Sequence, residues 1–173
     1  ALNVTPDHLD RHHTFEEYAA AKRRLFETQH PEDFAVLNAD DPVCAGYAES
    51  SQAKKIWFSL TGPVAAGLWL EGENLLFDGI PFLRLTEIPL RGRHNVENVM
   101  AAAAASRVAG ASLAGIAEAV RGFAGVEHRL EFVRTVGGVD YYNDSKATNV
   151  DSALKAIDAF MGPLWVILGG KDK

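Results

Sequence analysis

The stretch "YYNDSKATNVDSALKAIDAFMGPLWVILGG", residues 141–170, decides the fold. Its two tyrosines close a strand that begins at Val139. Polar residues 143–149 then make a loop, and a helix is predicted over 150–160, ended by Gly162-Pro163. The run "LWVILGG" is continuously apolar, as expected of a parallel strand buried on both faces. Strand, helix and strand in this order make a right-handed βαβ unit, which places the chain in the α/β class. Ligands in such sheets bind beyond the carboxyl ends of the strands. Residues 143–149 and 169–173 both fall at that edge, so an acid, a base and several small hydrogen-bonding groups are presented there.

The elements upstream are well punctuated. "RLEFVRTV", a Gly137-Gly138 turn and "VDYYN" read as a β-hairpin. "SLAGIAEAVRGF" is a helix capped by Ser112, and "HNVENVMAAAAASRVAG" is an alanine-rich helix closed by Gly110. "GLWLEGENLLFDGIPFLRL" is β-structure with Asp78-Gly79 as its turn. "KIWFSL" and "FAVLN" are buried strands, and Pro42 opens a short helix after "ADD". Thr14 and Glu17 make a capping box, after which Phe15, Tyr18, Ala19, Leu25 and Phe26 share one helical face. "FAGVEH" is a glycine-containing linker, which predicts a boundary between residues 1–124 and 125–173.

Composition narrows the function. The chain has 173 residues, 47% of them apolar, and a formal net charge of −6. An acidic surface disfavours nucleic acid as a partner. No apolar run approaches the ~18 residues of a membrane span, so insertion is not expected. The single cysteine excludes an intrachain disulfide and fits a cytoplasmic location. Functional-looking residues at both ends predict a fragment of a longer chain.

Several groups carry chemistry. Lys22 falls on the apolar face of its helix, four residues after Tyr18. It either buries its stem and sends its ammonium to water, or is a partly buried amine able to react with carbon dioxide. Asp7, His8, Asp10, His12 and His13 offer metal-ligand types in a loop; one histidine on a magnesium ion shared with phosphates suits them better than zinc. Asn95 and Asn98 lie three apart at a helix start. N-capping accounts for one of them, and the pair is also suited to a purine edge. Arg129, Asp144, Lys146 and Thr148 gather near the predicted ligand edge, where a carboxylate suits ribose hydroxyls and cations suit phosphates or carboxylates.

The motifs "NVTPDHLDRH", "YAAAKRRLFE", "LRGRHNVENVMAAAA", "GVEHRLEFV", "NDSKATN" and "LGGKDK", in this order, resemble the Mur ligases, the ATP-dependent amide-forming enzymes of peptidoglycan precursor synthesis. The resemblance implies an α/β fold: the later part of a central ATPase domain, then the first βαβ unit of a Rossmann-like C-terminal domain. "NDSKATN" points to the branch that adds D-glutamate to UDP-N-acetylmuramoyl-L-alanine through an acyl phosphate. ATP and Mg2+ are the implied cofactors. By the same resemblance His8 helps bind magnesium, Lys22 is carbamylated, Asn95 and Asn98 meet the adenine, and Arg129 and Asp144 contact the nucleotide. Lys146, Thr148 and Lys173 face the acceptor and the phosphates, although Asp172 departs from the family's glycine. The family's glycine-rich phosphate loop is absent from these residues, so the chain alone is expected to be inactive. A folylpolyglutamate-synthase-like ligase shares the architecture, and "NDSKATN" argues against it. A non-catalytic module binding a nucleotide or a partner is the alternative of another class.

Overall fold

The structure is a computed structural model and describes residues 1–170. The chain runs α1 (Leu9–His12), α2 (Phe15–Glu27), β1 (Phe34–Asn38), α3 (Pro42–Gly46), β2 (Lys54–Ser59), β3 (Gly67–Glu71), β4 (Asn74–Phe77), β5 (Ile80–Arg84), α4 (Arg93–Val108), α5 (Leu113–Arg121), β6 (Glu131–Val136), β7 (Val139–Asn143) and α6 (Val150–Asp158). One five-stranded sheet has the order β1-β2-β3-β4-β5, and β6 and β7 form a separate hairpin. The pairs β1–β2 and β2–β3 are parallel, whereas β3–β4 and β4–β5 are antiparallel.

Alternation along β1 and β2 sends side chains to two separate cores. Val36, Ile56 and Phe58 face α4 and α5, meeting Met100, Ala103, Ala104, Ile116 and Ala117. Ala35, Leu37 and Trp57 face the other way, against Phe26, Cys44 and Tyr47. The alanine run of α4 lets this helix lie close to the sheet, which is why small residues fill it. Burial drives the Cys44 thiol, followed in effect by the neighbouring Asp41, up to about 12, so it packs as an inert core group.

Local signals worked where the chemistry is local. Thr14 Oγ1 accepts from Glu17 N at 3.1 Å, and Ser112 Oγ from Gly115 N at 3.1 Å. Asp78 and Gly79 both have positive φ (47° and 82°), as a two-residue hairpin turn of the I′ type requires. Gly110 (φ 99°) ends α4 with its N–H on the Arg107 carbonyl, and Ala111 N reaches the Ser106 carbonyl, a Schellman closure.

Two expectations are revised. Residues 164–170, read as a buried parallel strand, carry no strand ladder among the described residues and are exposed. A parallel strand needs flanking strands to hydrogen-bond and helices to cover it; the β6–β7 hairpin pairs only with itself. The expectation that N-capping accounts for one of Asn95 and Asn98 also fails. Gly92 is the N-cap of α4, which puts Asn95 at the third helical position. No described residue beyond Ala117 is buried.

Candidate functional site

A cleft of about 650 Å³ opens between the sheet-bearing part and the residues that follow the linker. Its floor includes Leu2, Asn3 and Val4. These run beside the end of β1, where Asn38 N donates to the Ala1 carbonyl at 3.0 Å and Asn38 Nδ2 to the Leu2 carbonyl at 2.8 Å. The cleft therefore lies beyond the carboxyl end of β1, a parallel strand, and α/β topology favours that end of the strands for ligands. One wall holds Lys22 from α2 with His94 and Asn98 from α4, and the other holds Arg129, Asp144, Lys146 and Lys155. Five of the nine predicted site residues thus meet in one cavity, although up to 124 positions separate them in the chain.

Lys22 is placed as expected and solvated differently. Phe15, Tyr18, Ala19 and Phe26 pack into the core beside β1, but Lys22 is exposed and Leu25 is 69% exposed. The helical face is the predicted one, yet at this sector it borders the cleft instead of the sheet. Burial therefore supplies no desolvation at Lys22. Its ammonium rests 4.8 Å from the centroid of the Tyr18 ring, a cation–π contact.

His8 stands at the rim, outside the lining residues, with its ring 6.3 Å from the same Tyr18 ring. Its backbone is left-handed (φ 53°), and its N–H donates to Asp7 Oδ1 at 2.9 Å. The preference for magnesium over zinc takes this loop to lack an H-x-x-x-H pair, which is incorrect: His8 and His12 have that spacing around α1, and His12 also lies against Tyr18, at 5.4 Å. Among the described residues no three of His, Cys, Asp and Glu converge on a metal position. The donors at hand are the His8 imidazole and the Asp7 carboxylate, 3.8 Å apart. That set fits a magnesium ion only where phosphate oxygens and water complete the shell, the usual arrangement for this ion.

Asn95 is buried, and its Nδ2 donates to the Arg91 carbonyl at 2.7 Å. Its Oδ1 accepts from Asn98 Nδ2 at 3.0 Å, so the two amides form a relay in which only Asn98 reaches the cleft. Asp144 accepts from Leu130 N at 3.1 Å, and Lys146 N donates to the His128 carbonyl at 3.0 Å. Thr148 is exposed and does not line the cavity. Asn149 caps α6 through Ser152 N at 2.8 Å and donates to Asp7 Oδ2 at 2.9 Å, which ties this loop to the one that carries His8. Lys173 lies outside the described residues.

The cavity also contains groups that sequence reasoning missed. His94 is half-buried, and burial, followed by the charges of Lys155 and Arg129, holds its pKa below the ordinary histidine value. Lys155 projects from α6 and pairs with Asp151 at 2.8 Å. His128 and Leu130 both have left-handed backbones (φ 65° and 45°) on either side of Arg129. Such strain at non-glycine residues concentrates at functional sites. "EHRL" carries no local signal of it, whereas Lys155, four residues after Asp151 on α6, could have been flagged by its helical spacing.

Four cations, two carboxylates and a half-buried histidine line the cavity, a charge pattern suited to an anionic ligand, in an α/β fold. Comparison with known proteins gives the family. Residues 1–106 match the Mur ligase middle domain. The whole chain is 62% identical to a protein of Solibacter usitatus named UDP-N-acetylmuramoylalanine–D-glutamate ligase, and 99% of it aligns at 53% identity with the protein of that name from Acidobacterium capsulatum. A solved UDP-N-acetylmuramoyl-L-alanyl-D-glutamate–2,6-diaminopimelate ligase superposes with a TM-score of 0.68 at 29% identity, over 91% of this chain and 34% of that one. The chain belongs to the Mur ligase family. It spans about 39% of the length of both named relatives. Among the described residues no helix is long and apolar enough to cross a membrane.

Proposed function

We propose that the chain is the nucleotide- and acceptor-facing part of a cytoplasmic ligase that joins D-glutamate to UDP-N-acetylmuramoyl-L-alanine at the expense of ATP. The observation that carries this reading is the shared cavity: Lys22, Asn98, Arg129, Asp144 and Lys146 come from four separate segments and line one cleft. The names of the relatives, which align over the whole chain, supply the acceptor. In this reading residues 1–124 belong to the central ATP-binding domain and residues 125–173 begin the C-terminal one.

Each residue then has a physical task. Asp144 accepts hydrogen bonds from ribose hydroxyls, and Arg129 supplies a fixed fork of donors to phosphate oxygens. Asn98 presents its amide to the base, and the buried Asn95 orients it. Lys146 and Thr148 meet the acceptor's carboxylates, and Lys173 joins them. His8, with Asp7 beside it, holds magnesium together with phosphate oxygens. When bound, ATP and magnesium supply an activated acyl phosphate for the incoming amine. Lys22 acts as a carbamate: its neutral amine adds to carbon dioxide and loses a proton, and the resulting anion orients groups near the metal. Because Lys22 is solvated, the carbamate is held by its partners and not by burial.

The test is ATP-dependent ligation by the full-length protein that contains this chain, with UDP-N-acetylmuramoyl-L-alanine and D-glutamate as substrates. The expected product is UDP-N-acetylmuramoyl-L-alanyl-D-glutamate, with one ADP and one phosphate released per bond. Turnover with a folate and L-glutamate, or with another amino acid in preference to D-glutamate, overturns the assignment. The 173-residue chain alone is expected to give no product, because phosphoryl transfer needs positioned phosphates and no glycine-rich phosphate loop is present in it.

A further inference from the structure

The cleft has one wall from each side of the linker, so its width depends on how the later residues dock. Two consecutive residues before α4 make that contact. The Arg91 guanidinium lies 5.3 Å from the centroid of the Tyr142 ring and 5.5 Å from that of Phe160. Tyr142 packs edge-on against Phe160 at 4.8 Å and against Phe132 at 5.5 Å, so Arg91 covers the small aromatic cluster of the β6–β7 hairpin and the end of α6. Among the described residues Arg91 makes no ion pair. Gly92 follows with φ 90°, and a Cβ there would stand 2.7 Å from the His94 ring and 3.0 Å from Ala159 Cβ. Only glycine allows this approach. The Arg91 carbonyl accepts from Asn95 Nδ2 at 2.7 Å, and Asn95 holds Asn98 in the cleft wall.

We propose that the Arg91-Gly92 corner is the docking point that sets the angle between the two units, and that Arg91 is a positioning residue for the cleft. A planar guanidinium can lie against two rings at once, which an ammonium does less well. On the far side of the cleft the Asp7–Asn149 hydrogen bond provides a second attachment. With the corner loosened, the docked population falls, and the apparent affinity of any ligand touching both walls falls by the same factor. Two exposed cation–π contacts correspond to about a 5- to 30-fold change.

The docking angle can be measured without any ligand, so its test is separable from the functional reading above. In the 173-residue chain, spin labels at Glu73→Cys and Arg134→Cys report the distance between the sheet and the hairpin; Cys44 is buried and stays unlabelled. A narrow distribution is expected for the parent, a broad one for Arg91→Ala, and an intermediate one for Arg91→Lys. Phe160→Leu tests the corner from the opposite side and is expected to broaden the distribution as well. Thermal unfolding of the central core should be unchanged in Arg91→Ala, because Arg91 is exposed. In the full-length protein, ATP binding by calorimetry should weaken by about 5- to 30-fold in Arg91→Ala, with partial recovery in Arg91→Lys. A broad distribution in the parent, or an unchanged one in both Arg91→Ala and Phe160→Leu, overturns the proposal.

Discussion

Replacing Asp144 separates ligand binding from local support. Its Oδ1 accepts from Leu130 N at 3.1 Å, and Leu130 sits at φ 45°, so the carboxylate helps hold a strained turn beside Arg129. Asp144→Ala removes this tether together with the acceptor proposed for ribose. A hydrogen bond to a charged group contributes about 1.5–3 kcal/mol. Asp144 is half-buried at an open cleft, so the lower part of that range applies. About 1.5–2 kcal/mol corresponds to a 10- to 30-fold rise in the nucleotide dissociation constant. The lost tether adds about 0.5–1.5 kcal/mol of destabilisation. Asp144→Asn keeps an oxygen for Leu130 N and removes only the charge, so its stability should match the parent while its nucleotide affinity falls less than that of alanine. The assay is calorimetry of a non-hydrolysable ATP analogue on the full-length protein, with the Michaelis constant for D-glutamate and thermal unfolding measured in parallel. Unchanged nucleotide affinity with weakened D-glutamate would reverse the assignment. Equal losses of stability and affinity in alanine, both absent in asparagine, would reduce Asp144 to a structural tether.

Lys22→Ala in the full-length protein should abolish most ligation, and acetate or formate at fixed ionic strength should restore part of it; near-normal activity in the variant refutes the carbamate. Gly67→Ala should destabilise the chain by about 2–4 kcal/mol, measured by urea unfolding, because its backbone has φ 124° and the new Cβ would lie 2.1 Å from the Trp57 carbonyl oxygen. Burial raises the pKa of Glu97 above its ordinary 4.5, despite the opposing charge of Lys155 and a hydrogen bond from Asn38. The folded state then binds the proton more tightly than the unfolded one, so stability is lost as pH rises from 4.5 through the folded pKa. Glu97→Gln should therefore gain stability relative to the parent at pH 7 and lose that gain below the ordinary value; a constant difference between pH 4 and 7 in thermal unfolding contradicts it.

The sequence by itself determined what depends on neighbours along the chain. Helix starts at Thr14 and Ser112, the Asp78-Gly79 and Gly137-Gly138 turns and the alternation in β1 follow from capping, φ preference and period-two patterning. The face on which Lys22 lies was legible for the same reason, as was the order of motifs that marks the family. Whether that face is covered was not legible. Periodicity says that Tyr18, Lys22 and Phe26 share a side of α2, but it does not say that a cleft borders Lys22 while the core beside β1 takes Phe26. The strand expected at residues 164–170 fails for a related reason: an apolar run needs flanking strands, which are long-range partners that no local pattern encodes. Only the tertiary structure divided Asn95 from Asn98, burying one as the support of the other. It alone brought His94 and Lys155 into the cavity, and placed Arg91 against Tyr142 and Phe160, because these contacts join residues dozens of positions apart and arise only once two packed units meet.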